Sequence, residues 1–295
     1  MNESVFQLKV SEEALYGIWH QPYQSETVNC VKATAIVMLH GWGGYRTGPH
    51  DMLVKLSRKL AANGYHCFRF DFRGKGYSQG DRRYTGNKSM LEDLEVVLQY
   101  VNEQLVDPEI ILTGICFGAK VALSYARNGK HLVRHVIELS SPVLRQIEVE
   151  STLAASNTKN MLQTYIQKSF RKENWRKMIH GEVNFSAVWR NITRPVAGIL
   201  LHRVNKDSIS KSNRQSKHQE KPFSRFNGQI LLIHGEKDPE TRLALKQIHE
   251  MLDHYQIGYE THVVKNANHS FYSLDWVREI IELIGKWLMV NVVND

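Results

Sequence analysis

Four short stretches of the chain carry residue types that can move an acyl group. The first is Gly114-Ile115-Cys116-Phe117-Gly118, a GxCxG pentapeptide between an apolar run and a helical one. Glycines two before and two after a nucleophile let the backbone turn sharply and leave the central side chain exposed above a sheet. Here that side chain ends in sulfur. At the start of a helix the aligned backbone amides favour a thiolate, the nucleophilic form. A small buried cysteine in a glycine-rich turn is the plainer reading of the pentapeptide taken by itself.

The second stretch, His234-Gly235-Glu236-Lys237-Asp238, ends 122 residues beyond Cys116. Asp238 can hold an imidazole in one tautomer and stabilise its cation. Glu236 and Glu240 are weaker local alternatives, and an Asp before Pro239 is also a common way to start a helix. The third, Asn266-Ala267-Asn268-His269-Ser270-Phe271, places His269 a further 31 residues on. Of fourteen histidines it is the one expected in a loop at the correct edge of a sheet, in the chain order nucleophile, acid, histidine. Cys116, Asp238 and His269 are therefore the candidate catalytic triad. The fourth, His40-Gly41-Trp42-Gly43-Gly44, has the flexibility to aim a backbone N–H at a developing oxyanion. The amides of Trp42 and Phe117 are the expected pair. An ordinary glycine turn is the alternative, and Trp42 can also wall an acyl pocket.

These residues need a scaffold that delivers them to one edge. Residues 5–10 and 15–20 alternate in polarity and predict an antiparallel hairpin. Apolar runs at 33–39, 65–72, 109–115, 135–140, 228–234 and 259–264 then alternate with helical spacing at 52–63, 89–104, 117–128, 241–254 and 275–290. That is the pattern of a doubly wound, mostly parallel α/β sheet, whose ligands bind at the carboxyl ends of the strands. All four stretches follow a predicted strand. So does Asp71-Phe72-Arg73-Gly74-Lys75-Gly76-Tyr77-Ser78, read as a tight turn in which Asp71 and Arg73 anchor loops. The alternation fails over 141–227, a helical, basic, Ser/Asn/Lys-rich stretch read as a cap inserted into a core made of 1–140 and 228–295. Within it Tyr165, Ile166, Phe170, Trp175, Met178 and Ile179 could line a substrate channel, or could pack one helix face on the core.

Composition narrows the classes. Hydrophobic residues are 42% and charged residues 23% of the 295, enough to bury a sizeable core and too apolar for disorder throughout. No run approaches the length of a membrane span, and the start lacks a basic, apolar leader, which predicts a cytoplasmic protein. Three cysteines, Cys30, Cys67 and Cys116, with no Cys/His cluster at ligand spacing, indicate neither a disulfide framework nor a metal site. No cofactor is called for. The net charge of +8 is concentrated between Arg194 and Arg225, through Arg203, Lys206, Lys211, Arg214, Lys217 and Lys221. Aromatic residues are not interleaved there as a nucleic-acid groove would want, so a solvated loop is expected; membrane contact is not indicated. The expected partner is a small-molecule or carrier-bound acyl substrate.

Taken together, HGWGG, DFRGKGYS, GICFG, HGEKD and NANHSF resemble the α/β-hydrolase superfamily over essentially the whole chain. More closely, Tyr45-Arg46-Thr47-Gly48-Pro49-His50, the cysteine elbow and residues 170–183 are similar to the exosortase A system-associated hydrolases. The resemblance implies the α/β-hydrolase fold and acyl-enzyme chemistry. Familiar superfamily members use serine. Cysteine occurs in dienelactone hydrolases, polyhydroxyalkanoate synthases and Dieckmann-type cyclases, so the acyl-enzyme can be resolved by water or by another nucleophile. The expected activity is hydrolysis of an ester or thioester; an acyltransferase or cyclase, and a ligand-binding module without catalysis, are the alternatives.

Overall fold

The computed structural model describes residues 2–22, 33–81, 85–128, 133–143 and 222–292. Among them run β1 (Asn2–Val10), β2 (Glu13–Gln21), β3 (Thr34–Leu39), α1 (Met52–Ala62), β4 (His66–Phe70), α2 (Asn87–Gln104), β5 (Glu109–Ile115) and α3 (Phe117–Asn128). There follow β6 (His135–Leu139), β7 (Gln229–Gly235), α4 (Thr241–Tyr255), β8 (Gly258–Val264) and α5 (Leu274–Asn291). The strands form one eight-stranded sheet in the order β1-β2-β4-β3-β5-β6-β7-β8. β1 pairs antiparallel with β2, and β2 with β4; every later pairing is parallel.

The sequence dictates this layering. The central strands are apolar on both faces: TAIVML of β3 and HVIEL of β6 are buried almost throughout. Such strands need helices on each side. On one face α2, α3 and α4 pack with Phe68, Phe70, Phe72, Leu112 and Leu232 into one core. On the other, α1 and α5 bury Ile36, Met38, Ile111, Ile137 and Ile233. Edge strand β1 buries only Phe6 and Val10 and leaves its other residues exposed or partly so, as an outermost strand must. None of the described helices is long and apolar enough to cross a membrane.

The expected elements match within two residues, except that β1 begins three residues early, at Asn2; β4 ends two residues before the expected Phe72. Its pairing with β2 and β3 stops at Phe70 and Arg69, so Asp71 and Phe72 leave the sheet. Most of the stretch 141–227, with the channel-lining candidates and nearly all of the basic run, lies outside the described residues. At its far end Phe223 and Phe226 are buried, and Phe223 packs against Tyr255 of α4 with ring centroids 5.4 Å apart.

Candidate active site

The chain turns at Cys116 between β5 and α3. Its φ is +54°, a conformation that L residues avoid unless neighbouring structure enforces it. What enforces it is close packing. A Cβ at Gly118 would stand 2.2 Å from the Leu39 carbonyl oxygen, and one at Gly114 would stand 2.4 Å from the Ala119 nitrogen. Only hydrogen fits at either glycine. The Cys116 amide donates to the Leu139 carbonyl of β6 at 2.8 Å, and the Cys116 carbonyl accepts from the Ala119 amide at 3.0 Å. The turn is thus tied to the sheet on one side and to α3 on the other. Gly118→Ala forces the end of β3 away from α3 and is expected to cost about 3 kcal/mol or more. Urea denaturation reads the loss, and an unchanged midpoint would mean that the two backbones do not touch.

His269 lies in the loop between β8 and α5. Its Nδ1 faces Asp238 Oδ2 at 2.6 Å, and the Cys116 thiol is within hydrogen-bonding reach of the ring. The thiol's hydrogen bond is the largest influence on the ring, Asp238 adds to it, and against the opposing effect of burial they raise the His269 pKa to about 9. The imidazole therefore carries its proton across the neutral range. Asp238 is buried, with a side chain only 3% exposed, and its second oxygen accepts from the Glu240 amide at 3.0 Å. So the residue opens the turn before α4 and holds the histidine with one carboxylate. Glu236 faces elsewhere: it accepts from the Asn266 amide at 2.7 Å and fixes the histidine loop. Thus the structure brings Cys116, His269 and Asp238 into one hydrogen-bonded series.

The loop after β3 comes up against the sulfur. A Cβ at Gly41 would sit 3.2 Å from the Cys116 Cβ and 3.8 Å from its Sγ. The sequence offered glycine flexibility here; what the site uses is the missing side chain. No acceptor among the described residues takes a backbone hydrogen bond from the Trp42 or Phe117 amide. Their rings meet edge to face, 5.1 Å apart. Trp42 remains 43% exposed, consistent with a wall of the site mouth.

The loop that follows β4 does what its residues suggested. Asp71, fully buried, accepts from the Arg46 and Tyr77 amides at 2.6 and 3.0 Å and pairs with the Arg46 guanidinium. Arg73 pairs with Asp93 of α2 and reaches Glu92 at 3.0 Å. These bonds lock the two loops together.

Two buried groups near the site went unnoticed in the sequence. Glu138 of β6 stands opposite Gly114 in register, and burial pushes its carboxyl up to about 8. A charged residue inside the otherwise apolar HVIEL was the available signal. His234 at the end of β7 is held neutral by burial down to about pH 4 and feels the charges of Asp238 and His269.

These shifts have opposite consequences for stability. A carboxyl with an ordinary value near 4.5 and a folded value near 8 keeps its proton in the fold after the unfolded chain has released it. Raising pH through that window therefore removes stability. Glu138→Gln, which cannot titrate, should be more stable than the parent above pH 8 by about 5 kcal/mol and indistinguishable near pH 4. Denaturant titration at both pH values checks this, and equal midpoints at high pH would refute it. His20, His40 and His234, all lowered to about 4 chiefly by burial, act on the acid side: their stability is lost as pH falls from 6.5 toward 4. No group of three or more His, Cys, Asp or Glu capable of holding a metal occurs among the described residues.

The chain is 34% identical over 105 residues to the quorum-quenching protein AidA of Acinetobacter baumannii, covering 35% of this chain and 34% of that one. It is 30% identical over 150 residues to the lysophosphatidylserine lipase ABHD12 of Xenopus tropicalis, covering 46% and 36% respectively. The match thus spans about a third of these curated relatives' length. An alpha-beta serine hydrolase homologue from Coxiella burnetii superposes with a TM-score of 0.57 over 98% of both chains at 18% identity, which establishes the α/β-hydrolase fold. The family model for serine aminopeptidase S33 matches residues 32–273, and the chain belongs to that family of α/β-hydrolases.

Proposed function

We propose that the protein hydrolyses a small ester or thioester through a covalent acyl-enzyme on Cys116. The observation that carries the reading is the hydrogen-bonded series Cys116–His269–Asp238 at the carboxyl edge of the sheet. Sulfur attacks the carbonyl carbon, and the carbonyl π pair moves to oxygen, where the Trp42 and Phe117 amides receive it. Collapse of the intermediate breaks the bond to the leaving group, which takes a proton from His269. A water then attacks the thioester and returns a proton to His269, and the carbon–sulfur bond breaks. Asp238 fixes the ring so that Nε2, the nitrogen left after Nδ1 has met Asp238, faces the sulfur.

An ester substrate agrees with the lipase among the relatives. Cysteine at the elbow of a family named for serine bears on the acceptor. A thioester acyl-enzyme can pass its acyl group to an alcohol, amine or carbanion as well as to water. Incubating the enzyme with short acyl-thioesters and candidate acceptors, and comparing free acid with transferred product, decides between them; free acid throughout is expected, and a predominance of transferred product would make it an acyltransferase. The cytoplasm, where thiols stay reduced, suits a working cysteine.

The proton inventory predicts the alkaline limb. His269 is raised above its ordinary value, so its cationic form is present below about pH 9 and lost above it. The acylation rate should therefore fall as pH passes about 9 in a stopped-flow profile with a nitrophenyl ester. A rate that keeps rising beyond pH 10 would contradict a protonated His269 as the acid.

A further inference from the structure

We propose that Lys75 and Lys120 are positioning residues that clamp the oxyanion hole from its two outer sides. The inference rests on the acyl-enzyme reading above and concerns residues to which that reading gives no part.

Four side chains stand in sequence across the mouth of the elbow. The Lys75 ammonium lies 4.6 Å from the centroid of the Trp42 ring. Trp42 meets Phe117 edge to face, with centroids 5.1 Å apart and planes at 67°. The Lys120 ammonium lies 4.6 Å from the centroid of the Phe117 ring. Both lysines are buried, 5% and 1% exposed, so two cations that normally seek water are held within the protein beside aromatic faces. The two rings belong to the two residues whose amides are left without a backbone acceptor among the described residues.

The local structure explains why such a clamp is useful. Phe117 opens α3, so its backbone is fixed by the helix, and Lys120 sits one turn further on the same helix. Trp42 has only a turn for support, in which the Gly44 amide donates to the Gly41 carbonyl at 3.0 Å. It sits in the loop after β3, and a Cβ on the next residue, Gly43, would meet nothing within 4 Å. The Lys75 cation and the Phe117 ring, both against the indole, restrict where that side chain, and with it the amide, can stand.

The test compares two reactions of one sulfur. Acylation of Cys116 by a nitrophenyl ester passes through an oxyanion; alkylation by iodoacetamide does not. In Lys75→Met and Lys120→Met the acylation rate should fall about tenfold or more while alkylation, mapped to the Cys116 peptide, changes less than about twofold. Lys75→Arg, which keeps a cation over the ring, should restore most of the acylation. If both reactions fall together, the lysines support the fold and not the hole, and the proposal is overturned. If neither falls in any variant, the clamp has no role. A parent enzyme that alkylates but never acylates would instead sink the acyl-enzyme reading and the clamp along with it.

Discussion

Cys116→Ala should abolish acylation by nitrophenyl esters and thioesters, lowering turnover by about 10⁵-fold or more. The change removes one sulfur atom and little else. Alanine at 116 carries the same Cβ at the same φ of +54°, so the strain of the turn and the contacts of Gly41, Gly114 and Gly118 persist. The melting temperature should therefore move by only a few degrees. His269 loses the hydrogen bond that contributes most to its raised pKa, while its bond to Asp238 remains. A variant that folds and still turns over substrate would show that the nucleophile lies elsewhere.

Asp238→Asn should be nearly as damaging, with an expected loss of about 10⁴-fold in turnover. The carboxylate accepts two bonds, one oxygen from the Glu240 amide at 3.0 Å and the other from His269 at 2.6 Å. An asparagine offers one acceptor and one donor, so if its oxygen keeps His269 the amide nitrogen meets the Glu240 N–H, donor against donor. If the amide nitrogen faces His269, the ring takes the tautomer that puts its proton toward sulfur, where it cannot accept one. The alkaline limb should also move below pH 9, because Asp238 contributes to the raised His269 pKa by both its hydrogen bond and its charge. Single-turnover acylation across pH measures both effects, and a profile unchanged in height and position would remove Asp238 from the reaction.

Much of this was legible in the residues. Apolar runs such as EIILTGI and FGAKVALSYARN gave β5 and α3 at their observed bounds, because a strand buried on both faces and the helix that covers it have distinct periods. The order of elbow, acid and histidine along the chain was enough to nominate three residues that the fold brings together, since each one follows a parallel strand and those strands share an edge. What the sequence lacked was distance across the sheet. Periodicity tells which face Glu138 occupies, not that its register partner is Gly114. It tells that Lys120 lies one turn beyond Cys116, not that its ammonium rests on Phe117. Gly41 was read for its freedom of rotation, whereas the close approach of Cys116 shows that its lack of a side chain is what counts. Asp238 also offered itself as a helix start, yet α4 begins at Thr241 with Glu240 before it, and the second carboxylate oxygen only closes the turn ahead of the helix.

The central claim is tested most directly by locating the acyl group. The enzyme is incubated with a short acyl-thioester and quenched in acid within one turnover, and its peptides are then mapped by mass. A single acyl adduct on the peptide containing Cys116, absent after Cys116→Ala, is the predicted result. Turnover without any adduct at Cys116, or with the acyl group on another side chain, would contradict it.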